Sequence, residues 1–422
     1  MTQTQLPQQP KPLFEMLDNI NEIPDSVLQY IESLAIAEAS IEHKHCTEFL
    51  KSYSNSKDTF SSYRREVERL LQWAWLIPKK PLKTITRNDI RDYLQFVSAP
   101  PKQWIGTKIV NRFTLSADGL RIANPAWRPF VVKISKVARK HGKSLNKSSY
   151  QLSSKSIEAI FGVLSSLFTY LQQEEYLDSN PVALIRQKKG YIQRQQTRKV
   201  TRKLSRVQWE YVITTCETMA QQDTSHQRTL FLMSSFYLLG LRISELAYGE
   251  TRQAIMGNFA PDKRGLWWYT TTGKGNKIRD VAVPDELLNQ LKLYRESLDL
   301  SPLPRRGEST PLFPKQNGKT GLGARQIRNI VQSVFDQAIE KLNAAGKLDE
   351  AEDLAAATVH WLRHTAISSE VEYRPREHIR DDVGHENPAT MDKYIDTDRL
   401  ARHQSAQSKT LKPGNHGNGA IK

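Results

Sequence analysis

Cysteine is almost missing from this chain: 422 residues hold only Cys46 and Cys216, far apart and outside any Cys-x-x-Cys pair. That spacing excludes a disulfide framework and a cysteine-based zinc site, so both thiols are expected to be reduced and structural. No stretch approaches the ~20 uninterrupted apolar residues of a membrane helix. The polar opening MTQTQLPQQPKP has neither the charge nor the apolar run of a secretion signal. A cytoplasmic protein with no membrane partner is expected. There is no GxxxxGK[ST] loop to cradle nucleotide phosphates and no cluster of carboxylates suited to two-metal catalysis, so neither a cofactor nor a metal is expected.

Acidic residues are scarce in two segments. Between Pro101 and Tyr150, eleven Lys or Arg stand against one acid, Asp118, and between Arg186 and Arg206 nine stand against none. Together these segments carry +19, more than the whole formal charge of +16, so the remainder is slightly acidic, like an ordinary soluble protein. Such concentration is what a phosphate-binding surface requires, whereas charge alone does not establish a polyanionic partner. The bland alternative is a pair of solvated basic loops. Arg186, Lys188, Lys189, Arg194, Arg198, Lys199, Arg202 and Lys203 are the candidate phosphate contacts.

Length and 38% hydrophobic content support two cores of ordinary size. Residues 1–25, rich in Gln and Pro, read as a flexible leader. Residues 26–185 read as a helical domain: SVLQYIESLAIAEA, then TFSSYRREVERLLQWAWL, then TRNDIRDYLQFV, where Thr86 and Asp89 have the spacing of a capped helix start. The basic stretch near 101–150 interrupts it as an insertion, and Trp104, Trp127 and Phe130 within it suit core packing and base stacking equally. Ile157, Ile160, Phe161, Leu164, Leu167, Phe168 and Leu171 then share one face of a helix that ends near YLDSNP, where Asn180 before Pro181 breaks it. Residues 186–203 read as a basic, extended linker. In a second domain over 204–402, FLMSSFYLLG is a buried helix, and LWWYTTT with KIRDVAVP are strands joined by Gly273-Lys274-Gly275-Asn276. Another stripe runs from Ile327 to Leu342, and 403–422 reads as a flexible tail.

That second domain also carries candidate reactive side chains where helices begin or turns occur. Arg242 follows Gly240, Lys274 sits at the hairpin tip, and His360 and Arg363 in HWLRH are three apart on one helix. His385 follows Gly384, and Tyr394 lies nine residues later. Singly, each has a plain reading: an arginine paired to Glu245, a solvated lysine, a core histidine, a packed tyrosine. His360 and His364 share the i, i+4 spacing of zinc ligands, but Trp361 stands where a metalloprotease needs Glu. As an ordered set, the Arg box, GKG turn, HxLRH, GH pair and Tyr resemble the motif series of the tyrosine recombinases, the phage-integrase family. The resemblance spans about Leu204 to Leu400. More weakly it includes TFSSYRREVERLLQW, LKTITRNDIRDYL and VLSSLFTYLQQEEYLDSNP, which look like the family's core-binding domain.

The resemblance implies a mainly α fold with a small β-sheet: a helical SAM-like core-binding domain followed by a mixed α/β catalytic domain. It implies that Arg242 and Arg363 clamp a scissile phosphate, Lys274 acts as general acid, His360 and His385 assist proton transfer and hold phosphate oxygens, Tyr394 attacks, and Glu245 supports the site. Elementary chemistry agrees, because two planar guanidinium forks match the charge that develops on a phosphodiester. A phosphotyrosine keeps the bond energy for rejoining, so neither ATP nor metal is needed. The implied activity is site-specific recombination through a 3′-phosphotyrosine and a Holliday junction. Its partners would be double-stranded DNA carrying recombination sites, a tetramer of this chain on that DNA, and accessory DNA-bending proteins, all at the nucleoid. By the same resemblance, DRLARHQSAQSKTL after Tyr394 would form a short helix of the kind that in the family often docks into a neighbouring subunit. A type IB topoisomerase and a DNA-binding regulator on an inactive scaffold are the competing readings.

Overall fold

The computed structural model describes residues 8–134, 142, 144–185, 202–250, 252–315, 318–371 and 373–384. The chain divides into two compact units, Met1–Arg198 and Lys199–Lys422. Among the described residues no helix is long and apolar enough to cross a membrane.

Unit 1 is built on helices α1 (Asp25–Ser33), α2 (Ala39–Lys51), α3 (Lys57–Leu76) and α4 (Arg87–Ser98). Helix α4 starts as its sequence requires, with reciprocal capping between Thr86 and Asp89. The continuous helix expected over SVLQYIESLAIAEA does not form. Ala35 and Glu38 adopt left-handed backbone, φ 52° and 66°, turning the chain so that α1 and α2 both face one core. Helix α2 was not anticipated, because its buried face includes Glu42 and His43 beside Cys46, Phe49 and Leu50. Glu42 is fully buried and accepts bonds from Trp75 Nε1 at 2.7 Å, Tyr176 OH at 2.8 Å and the Leu82 amide. Burial pushes its carboxyl up to about 7, against the lowering effect of those donors.

The insertion folds as two small sheets, β1 (Ile105–Gly106) parallel to β4 (Phe130–Val131), and the hairpin β2 (Phe113–Leu115) with β3 (Arg121–Ala123). Trp104 and Phe130 are fully buried in the unit's core, so for Trp104 packing prevails over base stacking. Two of the insertion's cations serve internal acids, and Arg69 of α3 ties the insertion down. Arg112 pairs with Glu68, Arg121 pairs with Glu15, and Arg69 donates to the Pro129 carbonyl at 2.7 Å while pairing with Glu66 at 3.1 Å. The flexible leader expected over 1–25 is corrected by the same contacts. Leu13, Phe14 and Glu15 are buried, and the Leu13 amide donates to Glu68 at 2.6 Å, so this part of the Gln/Pro-rich segment is strapped to the domain. Helix α5 (Ser154–Gln173) buries the predicted stripe. It ends at Gln173, just before YLDSNP, and Asn180 ties the following turn back through Nδ2 bonds to Ser165 O and Thr169 Oγ1, both 3.0 Å.

Unit 2 begins with α6 (Arg206–Gln222) and α7 (Gln227–Leu239). Helix α7 is buried nearly all round, as its apolar sequence demands. After the four-residue helix α8 (Ile243–Leu246) come β5 (Phe259–Pro261), β6 (Trp267–Thr272) and β7 (Ile278–Ala282), an antiparallel sheet in the order β5-β6-β7. The expected hairpin is β6–β7, with Thr272 opposite Ile278 across the GKGN turn; β5 was not anticipated. Helices α9 (Asp285–Glu296), α10 (Ala324–Ala344), α11 (Leu348–Ala355), α12 (Val359–Glu370) and α13 (Arg376–Val383) complete the described part of the unit.

Candidate active site

Helix α7 ends because Gly240 takes the left-handed conformation, φ 57°, which a side chain would strain. The chain turns there and presents Arg242 at the start of α8. Glu245, on the first turn of that helix, folds back to accept from the Arg242 amide at 2.7 Å and from Arg242 Nη1 at 3.1 Å. The same two oxygens also accept from Arg279 of β7, Nη1 at 2.9 Å and Nη2 at 3.0 Å, and Arg363 Nη1 of α12 lies 3.9 Å from the carboxylate. Tyr269 of β6 donates to the Glu245 carbonyl at 2.8 Å, fixing the backbone under the cluster.

One buried carboxylate thus stands among three guanidiniums, which leaves the cluster at +2. Burial pushes the Glu245 carboxyl up, but the bonds and charge of Arg279, with the Arg242 amide and the Arg363 charge, overcome it and hold its pKa below the usual carboxylate range. It therefore stays ionised at neutral pH. Arg363 is 1% exposed and donates from Nη1 to Gly240 O at 2.6 Å and from Nη2 to Val383 O at 2.7 Å, joining the ends of α7 and α13. Arg242 keeps 29% of its side chain exposed, so of these two arginines it is the one open to an incoming anion.

His360 lies one turn from Arg363 on α12 and meets His364 edge to face, ring centres 4.5 Å apart. Burial, then Arg363, Arg242 and Arg202, lowers the His360 pKa. Burial, then His360, Arg363 and Arg202, lowers that of His364 to about 4. Both imidazoles are held in their neutral forms at pH 7.

Among the residues singled out from sequence, Arg242, Glu245, His360 and Arg363 are brought together, with Arg202 close enough to act on the histidines. Lys203 lines a cavity with Gln208, Asp349, Glu350 and Trp361. Lys274 lies in the turn between β6 and β7, with its side chain outside the described residues. His385, Tyr394, Arg186, Lys188, Lys189, Arg194, Arg198 and Lys199 lie outside the described residues altogether. Arg279 was missed. Period-two alternation along β7 puts it on the same face as buried Val281 while Ile278 points outward, 74% exposed. A cation on the core face of a strand requires a carboxylate, and that was the available signal.

The fold, a helical unit followed by a mixed unit, recurs among known proteins. Solved structures share it: XerH site-specific recombinase bound to a palindromic difH substrate (TM-score 0.53, 15% identity, 94% of this chain and 98% of that one) and the Tn1549 transposon integrase with a circular intermediate DNA (0.50, 15%, 86% and 98%). The chain matches the model of the phage integrase family over residues 202–400. It is 29% identical over 160 residues to a tyrosine recombinase of Pseudothermotoga lettingae, matching 38% of this chain and 49% of that protein. It is 26% identical over 230 residues to tyrosine recombinase XerD of Staphylococcus saprophyticus, matching 51% and 70%. The chain thus spans about half the length of the first relative.

Proposed function

We propose that this protein is a site-specific recombinase or integrase that cuts and rejoins duplex DNA through Tyr394. The observation that carries the reading is the Glu245 cluster: a net +2 site, with Arg242 open to solvent, is built to receive one phosphodiester. Arg242 meets a non-bridging oxygen, and Arg363 adds its charge from beneath while bracing both helix ends. Tyr394 attacks the phosphorus, forming a 3′-phosphotyrosine bond as the bond to the 5′ oxygen breaks. Lys274 gives that oxygen its proton. Neutral His360 is suited to take the tyrosine proton, and His385 holds a phosphate oxygen. Attack by the 5′ hydroxyl of a second strand reverses the step, and two such exchanges pass through a Holliday junction within a tetramer on DNA. The cations of 186–203 track the backbone, and accessory bending proteins assemble the recombination sites.

A nicked duplex that sheds its 5′ end on cleavage traps the covalent complex. The parent protein should yield a denaturant-resistant adduct whose tryptic peptide carries nucleotide on Tyr394, while Tyr394→Phe binds DNA equally and yields none. An adduct from Tyr394→Phe would reject the assignment. Relaxation of supercoils by a monomer, with no strand exchange between two duplexes, would instead place the chain with the topoisomerases.

A further inference from the structure

Arg279 stands where three pieces of the proposed machinery meet. Its terminal nitrogens take both oxygens of Glu245 at 2.9 and 3.0 Å, and its Nε donates to the Asp382 carbonyl at 2.7 Å, at the end of α13. The guanidinium is also pressed between two glycines. A Cβ at Gly273, the residue before Lys274, would fall 2.9 Å from its Nη1, and one at Gly384, the residue before His385, would fall 3.2–3.4 Å from its Cδ, Nε and Cζ. Asp382 is itself held by Arg374 at 2.6 Å, and Arg374 by Glu370 of α12 at 2.5 Å, so this end of α13 is braced from two sides. The side chain of Arg279 is only 11% exposed.

We infer that Arg279 is a positioning residue of the active site, which occupies Glu245 face-on so that Arg242 stays available to the phosphate, and which sets the hairpin before Lys274 against the helix end before His385. This rests on the functional reading above. The physical argument is competition for one carboxylate. A buried carboxylate takes the best guanidinium geometry it can reach, and the parallel two-bond fork is the strongest of these. Arg279 holds that fork, which restricts Arg242 Nη1 to a single bond at 3.1 Å. Without Arg279, Glu245 draws Arg242 into the fork, and the guanidinium turns from substrate toward protein. The Asp382 carbonyl loses its donor in the same event, and the chain leading to His385 loses its anchor on β7.

The test compares single-turnover adduct formation by the full-length parent, Arg279→Lys, Arg279→Met, Glu245→Gln and the Arg279→Met/Glu245→Gln double variant, with DNA affinity measured on each. Arg279→Met should lose about 10²-fold in cleavage, the effect of one preorganised donor, at unchanged affinity. Arg279→Lys keeps the charge without the fork and should fall between it and the parent, which also provides a reading should the methionine variant unfold. The double variant should cleave about tenfold faster than Arg279→Met, because a neutral amide no longer competes for Arg242. The two residues touch and so do not act additively. The rates are therefore compared per folded molecule, with the folded fraction taken from urea unfolding, a comparison in which a purely structural role would leave no difference. A double variant no faster than Arg279→Met, or an Arg279→Lys enzyme as fast as the parent, overturns the inference while the parent still cleaves. A parent that forms no adduct overturns the functional reading and this inference with it.

Discussion

Replacing Arg363 by lysine separates what the guanidinium does for the fold from what it does for chemistry. Arg363 Nη1 and Nη2 bond two different carbonyls, Gly240 O at 2.6 Å and Val383 O at 2.7 Å, on chain segments that no single ammonium can serve in the same geometry. Arg363→Lys would keep the positive charge and leave one buried carbonyl without a donor, a loss of about 1–3 kcal/mol. That is a fraction of the ~5–15 kcal/mol of a typical domain, so the variant should fold, with a lowered urea midpoint. Cleavage should fall further than stability does. The point charge lacks the planar spread that matches a phosphate, and losing such a preorganised group costs roughly 10²–10³-fold in rate. The assay is single-turnover adduct formation on a nicked substrate, run beside urea unfolding of the same preparation. Arg363→Lys cleaving within about threefold of the parent would refute the reasoning, because the same principle sets the loss at roughly two to three orders of magnitude. The residue would then be a brace between α7 and α13 and nothing more.

Lys274→Ala should lose roughly 10²–10⁴-fold in cleavage at unchanged DNA affinity. A substrate with sulfur at the 5′ bridging position, whose leaving group departs without a proton, should restore it; continued impairment would make Lys274 a phosphate clamp. Neutralising Arg194, Arg198, Lys199 and Arg202 together should weaken binding to unrelated duplexes and flatten the salt dependence, as loss of about four phosphate contacts requires. An unchanged slope would mean a solvated linker. Glu42 links unit 1 to pH. Its folded pKa of about 7 lies above the ordinary value of 4.5, so its contribution is fully present below about pH 4.5 and is lost as pH rises through 7. The span is about 3 kcal/mol at 1.36 kcal/mol per pKa unit. Urea unfolding followed at the Trp75 indole should show that decline in the parent and not in Glu42→Gln; parallel pH profiles would contradict it.

What the sequence determined by itself was local or strongly patterned. The stripe on α5, the buried run of α7, the Thr86–Asp89 cap and the β6–β7 hairpin each depend on residues within a few positions of one another, so periodicity and turn chemistry were enough. Arg242, Glu245, His360 and Arg363 were legible as an ordered set, and the fold brings both arginines to the Glu245 carboxylate with His360 beside them. Arg279 became visible only in three dimensions, because its partners lie 34 and 103 residues away and nothing near it in sequence names them. The strap at Leu13–Glu15 was hidden for the same reason: a Gln/Pro-rich segment reads as disordered until Glu68, Arg112 and Arg121 supply distant charges that hold it. The break at Ala35–Glu38 is also tertiary. Helical propensity runs on through that stretch, but only a turn there lets α1 and α2 bury their apolar faces in one core, and that burial outweighs the strain of two left-handed residues.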